Sequence, residues 1–136
     1  MEEIMAIETP GLAGQEKLTP LDSRYVTVDD LSWKPTQVPG IDMKILMQDK
    51  EAGLLTALFR WEPNTRLPLH EHVEVEQTYV LSGSIEDDEG TVSEGNYVWR
   101  PKGNQHYAYS PNGALVLSFF LRPNVFLEQF AGEKLE

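Results

Sequence analysis

The three histidines of this chain fall in two short segments. His70 and His72 stand two apart in "LPLHEHVEVEQ", residues 67–77, and His106 follows in "PKGNQHYAY", residues 101–109. On an extended strand, residues i and i+2 point to the same face, so two imidazoles at that spacing can converge on one point. A lone histidine is more often a surface or hydrogen-bonded core residue. His-x-His with a third histidine beyond a turn reads instead as a metal site. Imidazole with carboxylate suits a first-row divalent transition metal, here Fe, Zn, Mn or Ni. Three glutamates compete for the carboxylate position. Glu71 has the wrong parity and should face away from the imidazoles. Glu74 has the right parity, but a turn expected between His72 and Glu76 makes parity unreliable there. A site of three histidines with no carboxylate ligand is the remaining alternative.

Short strands must position these side chains. From Arg24 onward, "RYVTV", "MKILMQ", "LLTALFRW", "QTYVLSGSIED", "NYVWRP", "QHYAYS" and "ALVLSFFLR" are rich in residues that suit a pleated, half-buried surface. Between them lie "KPTQVPG", "DKEAG", "EPNT", "DDEGTVSEG", "PKGN" and "PNG", each with Gly, Pro, Asn or Asp placed to turn the chain. This pattern favours an all-β sandwich or barrel over a βαβ fold. Only "NVFLEQFAG" has helical spacing, which predicts a short C-terminal helix ended by Gly132. Residues 1–23 read as a weakly structured N-terminal arm, with Ile4, Met5 and Ile7 available to pack on a partner subunit. Residues 24–136 read as a single barrel domain with a C-terminal tail. "DDEGTVSEG" reads as a hairpin connection with an exposed acidic tip; it lacks the spaced acidic ladder of a calcium loop. Tyr79, Tyr97, Trp99, Tyr107 and Tyr109 are expected as core or rim packing. Arg60 is a candidate cation for the cavity, able to pair with an anionic substrate or orient Glu76; a surface ion pair is its alternative.

Composition excludes several function classes. With no cysteine, disulfides, thiolate-zinc sites and cysteine nucleophiles are ruled out. A net charge of -11 opposes binding to nucleic acid or to an anionic membrane surface, and is read as keeping the protein soluble. The acidic start "MEEIMAIETPG" lacks the basic and apolar regions of a secretory signal, and no apolar window is long enough to span a bilayer, so a cytoplasmic protein is expected.

The spacing resembles the two motifs of the cupin superfamily. His70, His72, Glu76 and Gly83 match the first, and Gly95, Pro101, Gly103 and His106 match the second. Asn64 stands where the first motif opens with Gly, and Ser110 where the second closes with Asn; Asn tolerates left-handed backbone better than most residues. The resemblance implies a double-stranded β-helix, or jelly-roll barrel, in which His70, His72, Glu76 and His106 bind the metal. It also implies pairing of barrels as homodimers. The stretch from Leu31 to His72 is most similar to the ChrR-type branch, which includes the zinc-binding cupin of anti-sigma factors. Related small cupins cleave ketones such as acetylacetone with dioxygen, typically through three histidines without the glutamate. The expected activity is a metal-dependent, Fe(II)-type oxygenation of a small carbonyl or enolisable compound, with Glu76 and Arg60 as candidate catalytic residues. The alternatives are a non-catalytic zinc-binding sensor or a metal-assisted isomerase, hydrolase or lyase.

Overall fold

Strand β4 (Leu54–Trp61) shows how this sequence makes a barrel. Leu55, Ala57, Phe59 and Trp61 are buried while Thr56 and Arg60 between them are not. The same alternation runs through β10 (Ala114–Phe120), where Ala114, Val116, Ser118 and Phe120 point inward. The two strands pair antiparallel in register, Ala114 opposite Trp61 and Phe120 opposite Leu55, so their apolar faces build one wall of the core.

The computed structural model describes residues 7–135. The remaining strands are β1 (Ile7–Glu8), β2 (Lys34–Pro35), β3 (Ile41–Asp49), β5 (Thr65–Glu71), β6 (Glu76–Glu86), β7 (Thr91–Ser93), β8 (Tyr97–Arg100), β9 (Gln105–Ser110) and β11 (Val125–Phe126). They form a curled antiparallel sheet in the order β1-β3-β4-β10-β6-β9-β5-β11; β2 pairs with β3, and β7 and β8 with β6. This is a jelly-roll β-barrel, as the sequence predicts. The long β6 joins its halves. One end of β6 pairs with β10 and β8, and the other with β7 and β9.

Turn chemistry sets the corners. Asp49 accepts the backbone N–H groups of Glu51 and Ala52 through Oδ1 and closes the β3–β4 hairpin. Gly83 has φ 76°, and a Cβ there would lie 2.0 Å from the Gly113 carbonyl, so no other residue fits without moving backbone. Asn64 takes φ 60° where the related motif has Gly, and its Oδ1 accepts the Tyr109 hydroxyl.

Four expectations are corrected. "RYVTV" forms no strand: Tyr25 is 88% exposed, and the segment runs over the outer face of β3, where the buried Lys44 ammonium donates to the Val28 carbonyl. The C-terminal "NVFLEQFAG" is not helical. Val125 pairs with Glu71 and Phe126 with His70, because burying Phe126 against the barrel outweighs a weak helical period. Tyr79, Tyr97 and Trp99 are 42%, 50% and 58% exposed and face outward rather than into the core. The "DDEG" turn is not wholly exposed either, as its first aspartate is buried in the site described below. Within the segment expected as an arm, Ile7 and Glu8 pair with Asp49 and Gln48 on β3, and the buried Thr9 hydroxyl donates to Leu46 O. Ile4 and Met5 lie outside the described residues. No helix among the described residues is long and apolar enough to cross a membrane.

Candidate metal centre

His70 lies on β5 directly opposite His106 on β9, and His72 follows just past the end of β5. All three are buried, and one nitrogen from each lies within 4.8 Å of those of the other two. The other ring nitrogens explain the orientation. His70 Nδ1 is 2.8 Å from Pro68 O, and His106 Nδ1 is 2.8 Å from Tyr107 O. Carbonyls accept only, so both Nδ1 atoms carry the proton and both Nε2 lone pairs face inward. His72 Nδ1 lies 2.9 Å from Glu76 Oε2, which gives it an acceptor in turn. Its Nε2 faces His106 Nε2 at 2.8 Å. Two facing imidazole nitrogens at that distance share either a proton or a metal ion. For metal–nitrogen bonds of about 2.1 Å, neighbouring ligand atoms sit about 3.0 Å apart at a right angle. The donor set therefore fits a divalent metal.

Glu76 is not part of the convergent trio. Its Oε1 accepts the Thr78 hydroxyl at 2.8 Å, and Oε2 accepts Asn124 Nδ2 at 3.3 Å besides approaching His72. Burial opposes its charge, but the His72 and Thr78 contacts outweigh burial and hold the carboxyl down at about 2. His70 is held down at about 3, first by burial and then by the neighbouring His106, so it is neutral at pH 7, the form that ligates. His106 is lowered by burial and by the Arg100 charge.

Glu71 accepts from Gln105 Nε2, and Glu74 pairs with Lys102, so neither enters the site. Arg60 does not reach the cavity. It alternates outward on β4, pairs with Asp42 at 3.0 Å and lies over the Trp33 ring, which leaves the cation half exposed on the far side of the sheet. The cation that lines the cavity is Arg100, opposite Glu76 in the β6–β8 ladder. Its Nη1 lies 2.6 Å from Asp87 Oδ2, which is also 3.1 Å from His106 Nδ1. Asp87 Oδ1 accepts the N–H groups of Glu89 and Gly90 in the turn. Burial raises the Asp87 pKa, but the Glu89 N–H, Arg100 and the Gly90 N–H together lower it below the usual carboxylate value. Sequence reading missed this pair. The available signal was an aspartate three residues before a glycine, a β-turn signature, together with the one charge in "YVWRP".

The cavity holds about 50 Å³. Phe59, Leu67, Val116 and Phe120 make it apolar, and His70, His106, Glu76, Thr78 and Arg100 give it one polar side.

A model of the ChrR cupin-like domain matches residues 22–124, most of the chain. The protein belongs to this cupin family. Known structures agree in fold. An RmlC-like cupin from Ralstonia eutropha JMP134 superposes with a TM-score of 0.73 at 17% identity, covering 85% of this chain and 79% of that one. An acetylacetone dioxygenase from Acinetobacter johnsonii gives 0.67 at 19%, covering 86% and 84%. The anti-sigma ChrR of Rhodobacter sphaeroides, in complex with SigE, gives 0.60 at 19%, covering 68% of this chain and about half, 51%, of that one. A search of curated proteins finds no match. The chain is thus a metal-binding cupin of ChrR type.

Proposed function

We propose that this cupin is a metal-dependent oxygenase of Fe(II) type acting on a small carbonyl or enolisable compound. His70, His72 and His106 would hold the metal, and Glu76 would stand behind His72 rather than in the ligand set. The observation that carries the reading is the common orientation of the three imidazoles: each Nδ1 faces an oxygen while one nitrogen from each ring gathers at a single buried point. Three neutral protein ligands would leave room beside a bound metal for substrate and dioxygen, and the metal would supply Lewis acidity to the one and an electron to the other. The chain's residues contribute the surroundings. Glu76 lines the cavity as an ionised carboxylate, held by Thr78 and Asn124, and orients the His72 ring from behind. The apolar walls exclude water from the reacting centre. Arg100, neutralised by Asp87, keeps the rim from presenting a free charge.

The likeness to the acetylacetone dioxygenase fold supports this reading. The test is oxygen uptake by Fe(II)-loaded protein with diketones, aryl ketones and other enolisable compounds, alongside the metal content of protein purified without added metal. No uptake, together with tetrahedral zinc closed by His70, His72, His106 and Glu76, would instead favour the sensor reading. That second reading rests on the ChrR family match.

We also propose a homodimer built on the outer face of β6, β8 and β10. Tyr79, Tyr97, Trp99 and Phe119 lie exposed there, with Leu81 and Leu121 beside them. These six side chains present about 500 Å² per protomer, more than half of a standard interface side. None of them is charged, although the chain carries -11.

A further inference from the structure

The metal cavity is too small to hold a whole organic substrate. Its 50 Å³ has room for only a few water-sized atoms. A ligand larger than that must leave most of its body elsewhere, and the structure has a place for it. A second cavity of about 560 Å³ lies between β3, β4, the N-terminal segment and the C-terminal tail. That volume is in the usual range for a small-molecule site. Leu135 borders both cavities, and it is buried, its N–H donating to Asn124 O at 3.4 Å.

The lining of the second cavity divides by polarity. Its floor is apolar, made by Leu31, Met43, Leu55 and Leu135, of which Met43 is 1% exposed. Its rim carries Lys34, Lys50 and Lys134. The chain has 11 basic residues against 22 acidic ones, yet none of these three lysines forms an ion pair among the described residues. The acids at the same rim are engaged locally: Glu8 Oε1 accepts from Gln48, and Asp49 Oδ1 closes its own turn. Three ammonium groups without an ion pair among the described residues, set around an apolar floor, select a ligand with a negative head and an apolar body.

We propose that this second cavity binds the body of an anionic amphipathic substrate, a carbonyl compound that also carries a carboxylate on an apolar chain or ring, and that Leu135 is the partition between its binding chamber and the metal cavity. The inference rests on the metal-centre reading for the reaction, while the binding itself does not require metal. Displacing Leu135 would join the two chambers without disturbing the strands that hold the histidines.

The test uses the full, metal-free chain and calorimetric titration with octanoate, octan-1-ol and octylammonium at low salt. Octanoate should bind saturably at one site, about ten-fold more tightly than octanol, the combined effect of three weak exposed pairings. Octylammonium should bind more weakly than either. The triple variant Lys34→Gln, Lys50→Gln, Lys134→Gln should lose the preference for octanoate while retaining octanol binding and the wild-type melting temperature. High salt should erase the preference in the same way. Octanoate binding no tighter than octanol, or an unchanged preference in the triple variant, overturns the proposal, and so does a lack of saturable binding. A parallel metal titration of wild type and His70→Ala keeps the two readings apart. Failed octanoate selection with intact histidine-dependent metal binding overturns only the chamber, and the converse overturns only the metal centre.

Discussion

Replacing Asp87 by Asn tests whether the buried pair behind His106 is structural support for the metal centre. The substitution is isosteric and keeps Oδ1, so the turn contacts to Glu89 and Gly90 survive. Only the group facing Arg100 Nη1 at 2.6 Å and His106 Nδ1 at 3.1 Å changes, from an acceptor to a donor. The Asp87 side chain is 2% exposed and that of Arg100 10%, so water cannot make up the loss. Removing one partner of a buried pair costs about 3–5 kcal/mol, because the other charge stays buried and uncompensated. Against a total stability of about 5–15 kcal/mol, that is a large fraction. Urea unfolding of the metal-free protein at pH 7 should therefore show a clear drop in midpoint. Arg100→Met in the Asp87→Asn background should recover much of it, since the stranded charge is gone. The coupling in this double-mutant cycle should exceed about 2 kcal/mol. The Asp87 pKa is lowered in the fold, so its contribution is fully present above the unfolded value of 3.8 and fades only below it. The penalty should thus be the same at pH 5 as at pH 7. His106 keeps the Tyr107 carbonyl as an acceptor, which places the expected loss of metal affinity near ten-fold, the low end for a lost supporting contact. A penalty below about 1 kcal/mol, or additive single and double variants, would refute the reasoning.

Three further predictions follow from the same geometry. Glu76→Gln should weaken metal binding about 10- to 100-fold by calorimetry, with the metal still bound, if Glu76 supports His72 from behind; complete loss of the metal would make Glu76 a ligand. The metal-free protein should lose stability on acidification, because His70 titrates near 3 folded and 6.5 unfolded, so the unfolded chain binds the extra proton between those values. From pH 6.5 to pH 4 this amounts to about 3 kcal/mol for His70, at about 1.4 kcal/mol per unit; a flat urea midpoint over that range would contradict the burial argument. Trp99→Glu should convert a dimer to a monomer in light scattering at micromolar concentration, since it places a charge in the middle of the apolar outer face; an unchanged mass would exclude that face as the contact.

How much of this was legible in the sequence depended on the range of the information. The barrel and the three histidines were readable because strand parity and motif spacing are local. His-x-His on a strand fixes a shared face, and Gly83 fixes a corner that tolerates no side chain. Arg60 was misplaced for a local reason too: parity on β4 says it alternates with Phe59 and Trp61, and those two are the inward residues. Its alternative, the surface ion pair, is what β3 supplies through Asp42. For Asp87 the glycine three residues on marks a turn but not the direction of the side chain. Its carboxylate is brought to His106 and Arg100 by three different chain segments meeting across the barrel, and nothing in "DDEG" distinguishes an inward aspartate from its exposed neighbours. The C-terminal segment illustrates the same limit from the other side. Val125, Phe126 and Phe130 share a helical face on paper, but β5 offers an open edge over His70, and pairing with it buries Phe126 to 2% exposure. The edge decides the conformation, and the tail it captures carries Leu135 back to the barrel mouth, to a position that borders both cavities. Local propensity therefore gave way at the place where the chain closes over its own candidate site.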